Sequence, residues 1–292
     1  MRLIDFYNQV VSLGRRADPR GDKSAIKSYA DTAVLYGAPD TEVKKIMIGI
    51  DIDPSELLLA DKLRIQEGLD LVLSHHPEGS AWAGFYKVMQ MQAQLLAKAG
   101  VAFKFAEGLV EERMREVERR VISANHMRSV DTARLLDLPF MCAHTPADNH
   151  VAQYLSKIFA KKKPKKVADI VNILDKIPEY KDAAGNNAGP RVIIGNPARP
   201  AGKIMLEMTG GTEGPKEVFG SLYKKGIRTL VSMHLSEEHF KKVKEANLNV
   251  VIAGHISSDT LGLNLLLDNI EKGSGEKFEV INCSGFRRIS RN

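Results

Sequence analysis

Cysteine is nearly absent from this chain: its two residues, Cys142 and Cys283, stand far apart and in no metal-ligand spacing. This speaks against a disulfide framework, points to a reducing cytoplasm, and leaves histidine and carboxylate side chains as the source of any metal ligands. Long hydrophobic runs are missing too. No stretch approaches the roughly 18 apolar residues of a membrane helix. The opening residues, with Asp5 near the start and no continuous apolar segment, do not read as a secretory signal. Nor is there a large excess of one charge. Lysine and arginine number 42 against 36 acidic residues, and the net +6 is scattered, too little for a nucleic-acid surface but compatible with small anionic ligands. The local concentration Lys161-Lys162-Lys163-Pro164-Lys165-Lys166 has no accompanying aromatic or arginine pattern and reads as a solvated connector.

What is present is an alternating pattern. The 292 residues, 43% apolar and 27% charged, suffice for one compact unit with two lobes. After an N-terminal helical stretch, apolar runs at 43–51 and 71–73 read as buried strands, with helices expected at 54–67 and 81–98. Residues 101–105 read as another strand, 107–136 as a long helix or helical hairpin, and 139–143 as a strand. The turn-rich segment 180–190 marks the boundary between lobes at 1–180 and 181–292, with the metal site described below placed between them. Beyond it, strands at 191–194, 203–208, 228–233, 249–253 and 278–282 alternate with helices ending near 225 and spanning 237–246 and 258–272. The expectation is an α/β protein with two similar lobes, each a mixed, largely parallel sheet flanked by helices, with antiparallel strands at the edges.

Three clusters carry candidate chemistry, each at the end of an expected strand, where α/β proteins place their sites. The first is Ser74-His75-His76-Pro77. Neighbouring residues of an extended chain project in opposite directions, so the two imidazoles are suited to two adjacent ions rather than to chelating one. The second is Gly254-His255-Ile256-Ser257-Ser258-Asp259, where His255 and Asp259 share one side of a helix start. The third is His144-Thr145-Pro146-Ala147-Asp148, a polar loop opening toward a helix, whose carboxylate is able to bridge two cations. Each cluster alone also fits a plain structural role: a histidine closing a strand, a serine cap at 257 or 258 with Asp259 in the first helical turn, a helix cap after Pro146. Their common position at strand ends favours one shared pocket.

Taken in chain order, 74–77, 144–148 and 254–259, the three motifs resemble the Nif-three-like family, whose bacterial members are often described as GTP cyclohydrolase I type 2 homologues. The resemblance runs from about residue 43 to the end, and includes the Gly49-Ile50-Asp51 strand and the terminal Gly285-Phe286-Arg287-Arg288 region. It implies two similar α/β lobes around a dinuclear metal site, assembled as dimers or toroidal hexamers. By position, the ligands are His75, His76, Asp148, His255 and Asp259, with His144 beside them. The chain departs from the family pattern in carrying Asp259 where a Gly-His-Tyr-x-x-Glu run is usual, in Glu78-Gly79-Ser80-Ala81-Trp82 after the histidine pair, and in a longer region at 106–138. The space between the lobes is too short for the large inserted domain of some members.

The loop Thr209-Gly210-Gly211-Thr212-Glu213-Gly214-Pro215 reads either as a tight turn or as an anion-contacting loop before a helix, with Thr212 and Glu213 as candidate substrate contacts and Glu213 a proton carrier only if it faces the metals. His234 and His239 flank a helix start and read as surface or supporting residues, while His126 and His150 have no informative context. The expected activity is hydrolysis by two divalent ions (zinc, iron or manganese) acting on a phosphorylated or nucleotide-like small molecule. The rival is a metal-binding regulatory or scaffold protein without turnover. No individual catalytic residue is assigned.

Overall fold

The computed structural model describes residues 1–21 and 26–292. Among these residues the strands are, in chain order, β1 (Thr32–Tyr36), β2 (Lys45–Gly49), β3 (Leu71–Ser74), β4 (Phe140–Ala143), β5 (Arg191–Ile194), β6 (Lys203–Glu207), β7 (Ile227–Ser232), β8 (Asn249–Ile252) and β9 (Glu279–Asn282). They form a five-stranded sheet of order β1-β4-β3-β2-β9 and a four-stranded sheet of order β5-β8-β7-β6. The inner pairings are parallel, and each sheet has one antiparallel edge, β1 on β4 and β5 on β8. This is the expected α/β architecture: two lobes, each a mixed, largely parallel sheet flanked by helices. No helix among the described residues is long and apolar enough to cross a membrane.

By contacts the chain divides into two interleaved units. The first comprises Met1–Val88, Val117–His150 and Asp259–Asn292, the second Met89–Glu116 and Val151–Ser258. The sequence predicts contiguous lobes at 1–180 and 181–292, with residues 278–282 in the second. In the structure β9 lies parallel to β2, pairing Val280 with Ile46, and completes the first sheet.

Both faces of the first sheet are covered, which is why its strands read as continuous apolar runs. Ile46, Ile48, Leu71, Leu73, Met141 and Ala143 point to a core filled by Leu3, Phe6 and Val10 of helix Leu3–Ala17 and by Leu263, Leu266, Leu267 and Ile270 of helix His255–Ser274. The alternate residues Met47, Val72 and Phe140 face Leu57 and Ala60 of helix Pro54–Glu67, together with Ala133 and Leu138. Each fully buried side chain of this size contributes roughly 1.5–3 kcal/mol, so the strand ends rest on a rigid layer.

Three local expectations change. Residues 101–105 are not a strand, because helix Phe103–Val121 begins there, leaving Phe103 and Phe105 exposed. The buried positions Ala106, Val110, Met114, Val117 and Val121 recur at helical spacing, and that periodicity outweighs the short alternation of the preceding residues. The segment 144–149 is helical almost throughout: helix Thr145–Lys162 starts directly after His144. After Pro215 there is a short 3-10 turn, Lys216–Val218, and then only the six-residue helix Phe219–Lys224.

Candidate metal centre

The first sheet sets out its polar residues at the carboxyl ends of its parallel strands. Beyond β3 the ladder to β2 continues for two more residues, with the backbone N–H of His75 donating to Gly49 O (2.9 Å) and that of His76 to Ile50 O (2.9 Å). The neighbouring strand β4 delivers His144, and one helical turn later Asp148 points the same way, its N–H bonded to His144 O (3.1 Å). That helix is held close by helix Leu3–Ala17. Gly14 faces Pro146 so closely that a Cβ on it would lie 2.6 Å from Pro146 Cβ, and Asn149 Nδ2 donates to Gly14 O (3.2 Å). Asp259 comes from helix His255–Ser274, whose start needs Gly254 at φ +112°, where any Cβ would meet Ser257 Oγ at 2.5 Å.

Each of the three histidines is tied at Nδ1. His75 Nδ1 donates to Ala143 O (3.1 Å), His76 Nδ1 lies 2.6 Å from Asp51 Oδ1, and His144 Nδ1 lies 2.8 Å from Asp31 Oδ2. In His75 and His76 the other ring nitrogen, Nε2, turns toward the carboxylates. His75 Nε2 stands 3.5 Å from Asp148 Oδ1 and 3.4 Å from Asp259 Oδ1, and His76 Nε2 stands 3.5 Å from Asp259 Oδ2. These gaps are long for N–H···O hydrogen bonds, whose usual range is about 2.7–3.2 Å. They match the spacing of two ligands on one tetrahedral ion, about 3.3 Å for bonds of about 2.0–2.1 Å. Within this unit the ligand atoms of His75, His76 and His144, and those of His75, Asp148 and Asp259, lie within 4.8 Å of one another.

Burial makes the arrangement costly without a cation. His75 Nε2 and Asp148 Oδ1 are buried with no hydrogen-bond partner, which costs about 1–3 kcal/mol for each neutral group and more for a charged one. Burial pushes the Asp148 carboxyl up to about 7; His144 counters this and Asp259 adds to it. Burial likewise pulls the His75 imidazole down to about 4 against the pull of Asp259. Two rings go the other way: burial opposes the charge of His76, but hydrogen bonds to Asp259 and Asp51 outweigh it and hold the ring up to about 10, and burial of His144 is likewise outweighed by Asp148 and Asp31, which raise it above the usual imidazole value. Orphaned buried nitrogen and oxygen donors at ligand spacing, in a nitrogen and carboxylate set, fit a divalent transition metal.

Of the residues expected from sequence, the structure brings His75, His76, His144, Asp148 and Asp259 together in the first unit. His255 stands one turn before Asp259 on the same helix; it lies in the second unit, its ring 4.9 Å from that of His234. Thr212 and Glu213 also lie in the second unit, in a loop clamped by side chains. Gln92 Nε2 donates to Gly210 O and Thr212 O (2.7 Å each), Arg113 Nε to Glu213 O (3.1 Å), and His239 Nε2 to Gly214 O (2.8 Å). Burial opposes ionisation of Glu213, but His234 and the Ser236 N–H outweigh it and hold the carboxyl at about 2, a fixed negative charge rather than a proton carrier at neutral pH. His126 and His150 bond to backbone carbonyls within their own segments.

Sequence reasoning missed Asp31, Glu207 and the supporting role of Asp51. Asp31 precedes the short edge strand β1, which has no strong alternation, whereas Asp51 was visible in the Gly49-Ile50-Asp51 motif. Glu207 ends β6 in the second unit, where burial and then Glu213 raise its carboxyl to about 7. A carboxylate closing an apolar strand was the signal.

No protein-family model and no curated protein matches the sequence. Solved structures do. A NIF3 superfamily protein from Sphaerobacter thermophilus is similar at 30% identity and a TM-score of 0.80, over 95% of this chain and 98% of that one. HcgD from Methanocaldococcus jannaschii, in its reduced form, shares the fold at 17% identity and a TM-score of 0.53, over 97% of each chain. So does the structural-genomics protein ybgI, of unknown function, at 14% identity and a TM-score of 0.57, over 99% of this chain and 100% of that one. With a fold matched over nearly its whole length and a relative at 30% identity, the chain belongs to the NIF3 superfamily.

Proposed function

We propose that the protein is a metal-dependent hydrolase with a dinuclear site that acts on a phosphorylated or nucleotide-like small molecule, with His75, His76, Asp148, His255 and Asp259 as ligands. The observation that carries this reading is the pair of buried, unpartnered donors, His75 Nε2 and Asp148 Oδ1, set 3.5 Å apart. His255 joins the set through its i,i+4 relation to Asp259 on one helix. Two bound ions (zinc, iron or manganese by donor type) would supply an activated water and a polarised substrate oxygen. The chain's own residues do the rest. Asp148 directs Oδ1 toward His75 Nε2, and its second oxygen, Oδ2, lies 3.8 Å from His144 Nδ1. His76, with 26% of its side chain exposed, lies at the accessible side of the cluster, where a substrate would approach.

The test is elemental analysis of protein purified without a chelating tag, followed by a hydrolysis screen over nucleotides, GTP included, and small phosphoesters. Two ions per chain, with turnover lost in Asp148→Asn, support the proposal. Absence of bound metal, or turnover undiminished in that variant, overturns it. The burial of His75, Asp148 and Asp259 favours a second reading, a regulatory or scaffold protein whose ions organise a pocket. Metal retained without turnover across the panel would select that reading. We further place the protein in the cytoplasm, where its free cysteines stay reduced, as a homo-oligomer, dimer or hexamer, to be counted by sedimentation.

A further inference from the structure

Asp31 is fully buried at the head of β1, and three donors converge on its Oδ2: Thr145 Oγ1 at 2.6 Å, His144 Nδ1 at 2.8 Å and the Thr145 backbone N–H at 3.3 Å. Thr32 Oγ1 lies 3.4 Å from its other oxygen, and also accepts the His144 backbone N–H at 3.2 Å. Among the described residues no lysine or arginine forms an ion pair with it; its ion-pair partner is His144. The Thr145 backbone N–H can only donate, which marks Oδ2 as an acceptor, and His144 Nδ1 is then a donor to the same oxygen. In the neutral, ligand-competent form of His144 the lone pair is then on Nε2. His144 stands in a group with His75 and His76, each offering one ligand atom within 4.8 Å of the others, and with Nδ1 engaged by Asp31 the ring nitrogen left to serve there is Nε2.

We infer that Asp31 is a positioning residue for the metal centre: it locks His144 in the Nδ1-protonated tautomer and orientation, so that Nε2 serves as a third imidazole donor beside His75 and His76. The inference rests on the dinuclear reading above and goes beyond it, since neither Asp31 nor a donor role for His144 belongs to the ligand set proposed there. His75 and His76 are held by the same device, through Ala143 O and Asp51. The His144 pair differs in being closed from solvent and in sharing its carboxylate with Thr145, the first residue of the helix that carries Asp148. One buried carboxylate therefore sets both the ring of His144 and the start of that helix. Removing a carboxylate behind a metal-site histidine typically lowers metal affinity about 10–100-fold.

The experiment uses the full chain and zinc alone. Zinc affinity is measured by chelator competition for the parent, Asp31→Asn, His144→Gln and the double variant, with circular dichroism and melting as fold controls. The tautomer of His144 in the parent is read from ring 15N chemical shifts, assigned by comparison with His144→Gln. The expected results are an Nδ1-protonated His144, a loss of affinity of about 10–100-fold in Asp31→Asn, and no further loss when Asp31→Asn is added to His144→Gln. A purely structural role would instead lower affinity equally in both backgrounds, and that result overturns the inference, as does unchanged affinity in Asp31→Asn. If Asp31→Asn does not fold, the tautomer in the parent decides, and an Nε2-protonated ring overturns the inference. A parent that binds no zinc but shows the Nδ1 tautomer fails the dinuclear reading while leaving the Asp31–His144 coupling intact.

Discussion

Asp148→Asn separates a metal site from a structural polar cluster, because it should remove function while stabilising the stripped protein. The carboxyl is buried, lies beside a second carboxylate at Asp259, and is raised from 3.8 to about 7. Between those values the folded chain keeps a proton that the unfolded chain has released. Stability therefore falls as pH rises through this window and is level above it. At about 1.4 kcal/mol per pH unit, the span amounts to on the order of 2–4 kcal/mol. An asparagine is neutral throughout and nearly isosteric, so in chelator-treated protein the variant should be more stable than its parent by that amount at pH 8, and by much less at pH 4. Other groups, including His75 with its opposite trend, are common to both proteins and largely cancel in the difference. The assay is urea unfolding at the two pH values. It is followed by the fluorescence of Trp82, the single tryptophan, which reports on the first unit. With zinc present the order should invert, since only the parent gains binding energy. A variant less stable than its parent at pH 8 without metal, or equally stabilised by zinc, would refute the assignment of Asp148 as a ligand held in place against its own burial cost.

Three further outcomes follow from named contacts. Gly14→Ala places a methyl 2.6 Å from Pro146 Cβ and should cost about 1–3 kcal/mol, read as a lower melting temperature together with weaker metal binding through the displaced helix of Asp148. Glu207→Gln removes a carboxyl raised from 4.5 to about 7; the parent loses stability as pH rises across that window, so the variant should be more stable by up to about 3 kcal/mol above pH 7 and nearly equal to it below pH 4.5, by denaturant titration. Asp259→Asn should reduce bound metal per chain in elemental analysis with the fold retained in circular dichroism, and metal content equal to that of the parent would remove Asp259 from the ligand set.

How much of this was legible depended on the range over which each signal acts. The apolar runs that became β2, β3, β7 and β8 were readable because their central residues are buried, so apolar residues follow one another instead of alternating with polar ones. The positions of His75, His76 and Asp259 at strand and helix ends followed from the same local patterns. The edge strand β1 is half-buried and its apolar run, Ala33-Val34-Leu35-Tyr36, is only four residues long; it passed unread, and with it Asp31 was lost from view. Residues 101–105 misled because a few alternating positions mimic a strand, whereas the decisive spacing of Ala106, Val110, Met114 and Val117 begins just beyond them.

By itself, then, the sequence determined the α/β class, the order of most elements and the residue types available for chemistry, all of which arise from periodicity and turn chemistry within a few residues. Tertiary structure alone decided that β9 returns to the first sheet, that the two units interleave, and that Asp31 stands behind His144 across 113 residues of chain. Strand partners and buried carboxylate–imidazole pairs are selected by long-range burial, where closing the loop and desolvating the charge are offset only by the completed fold.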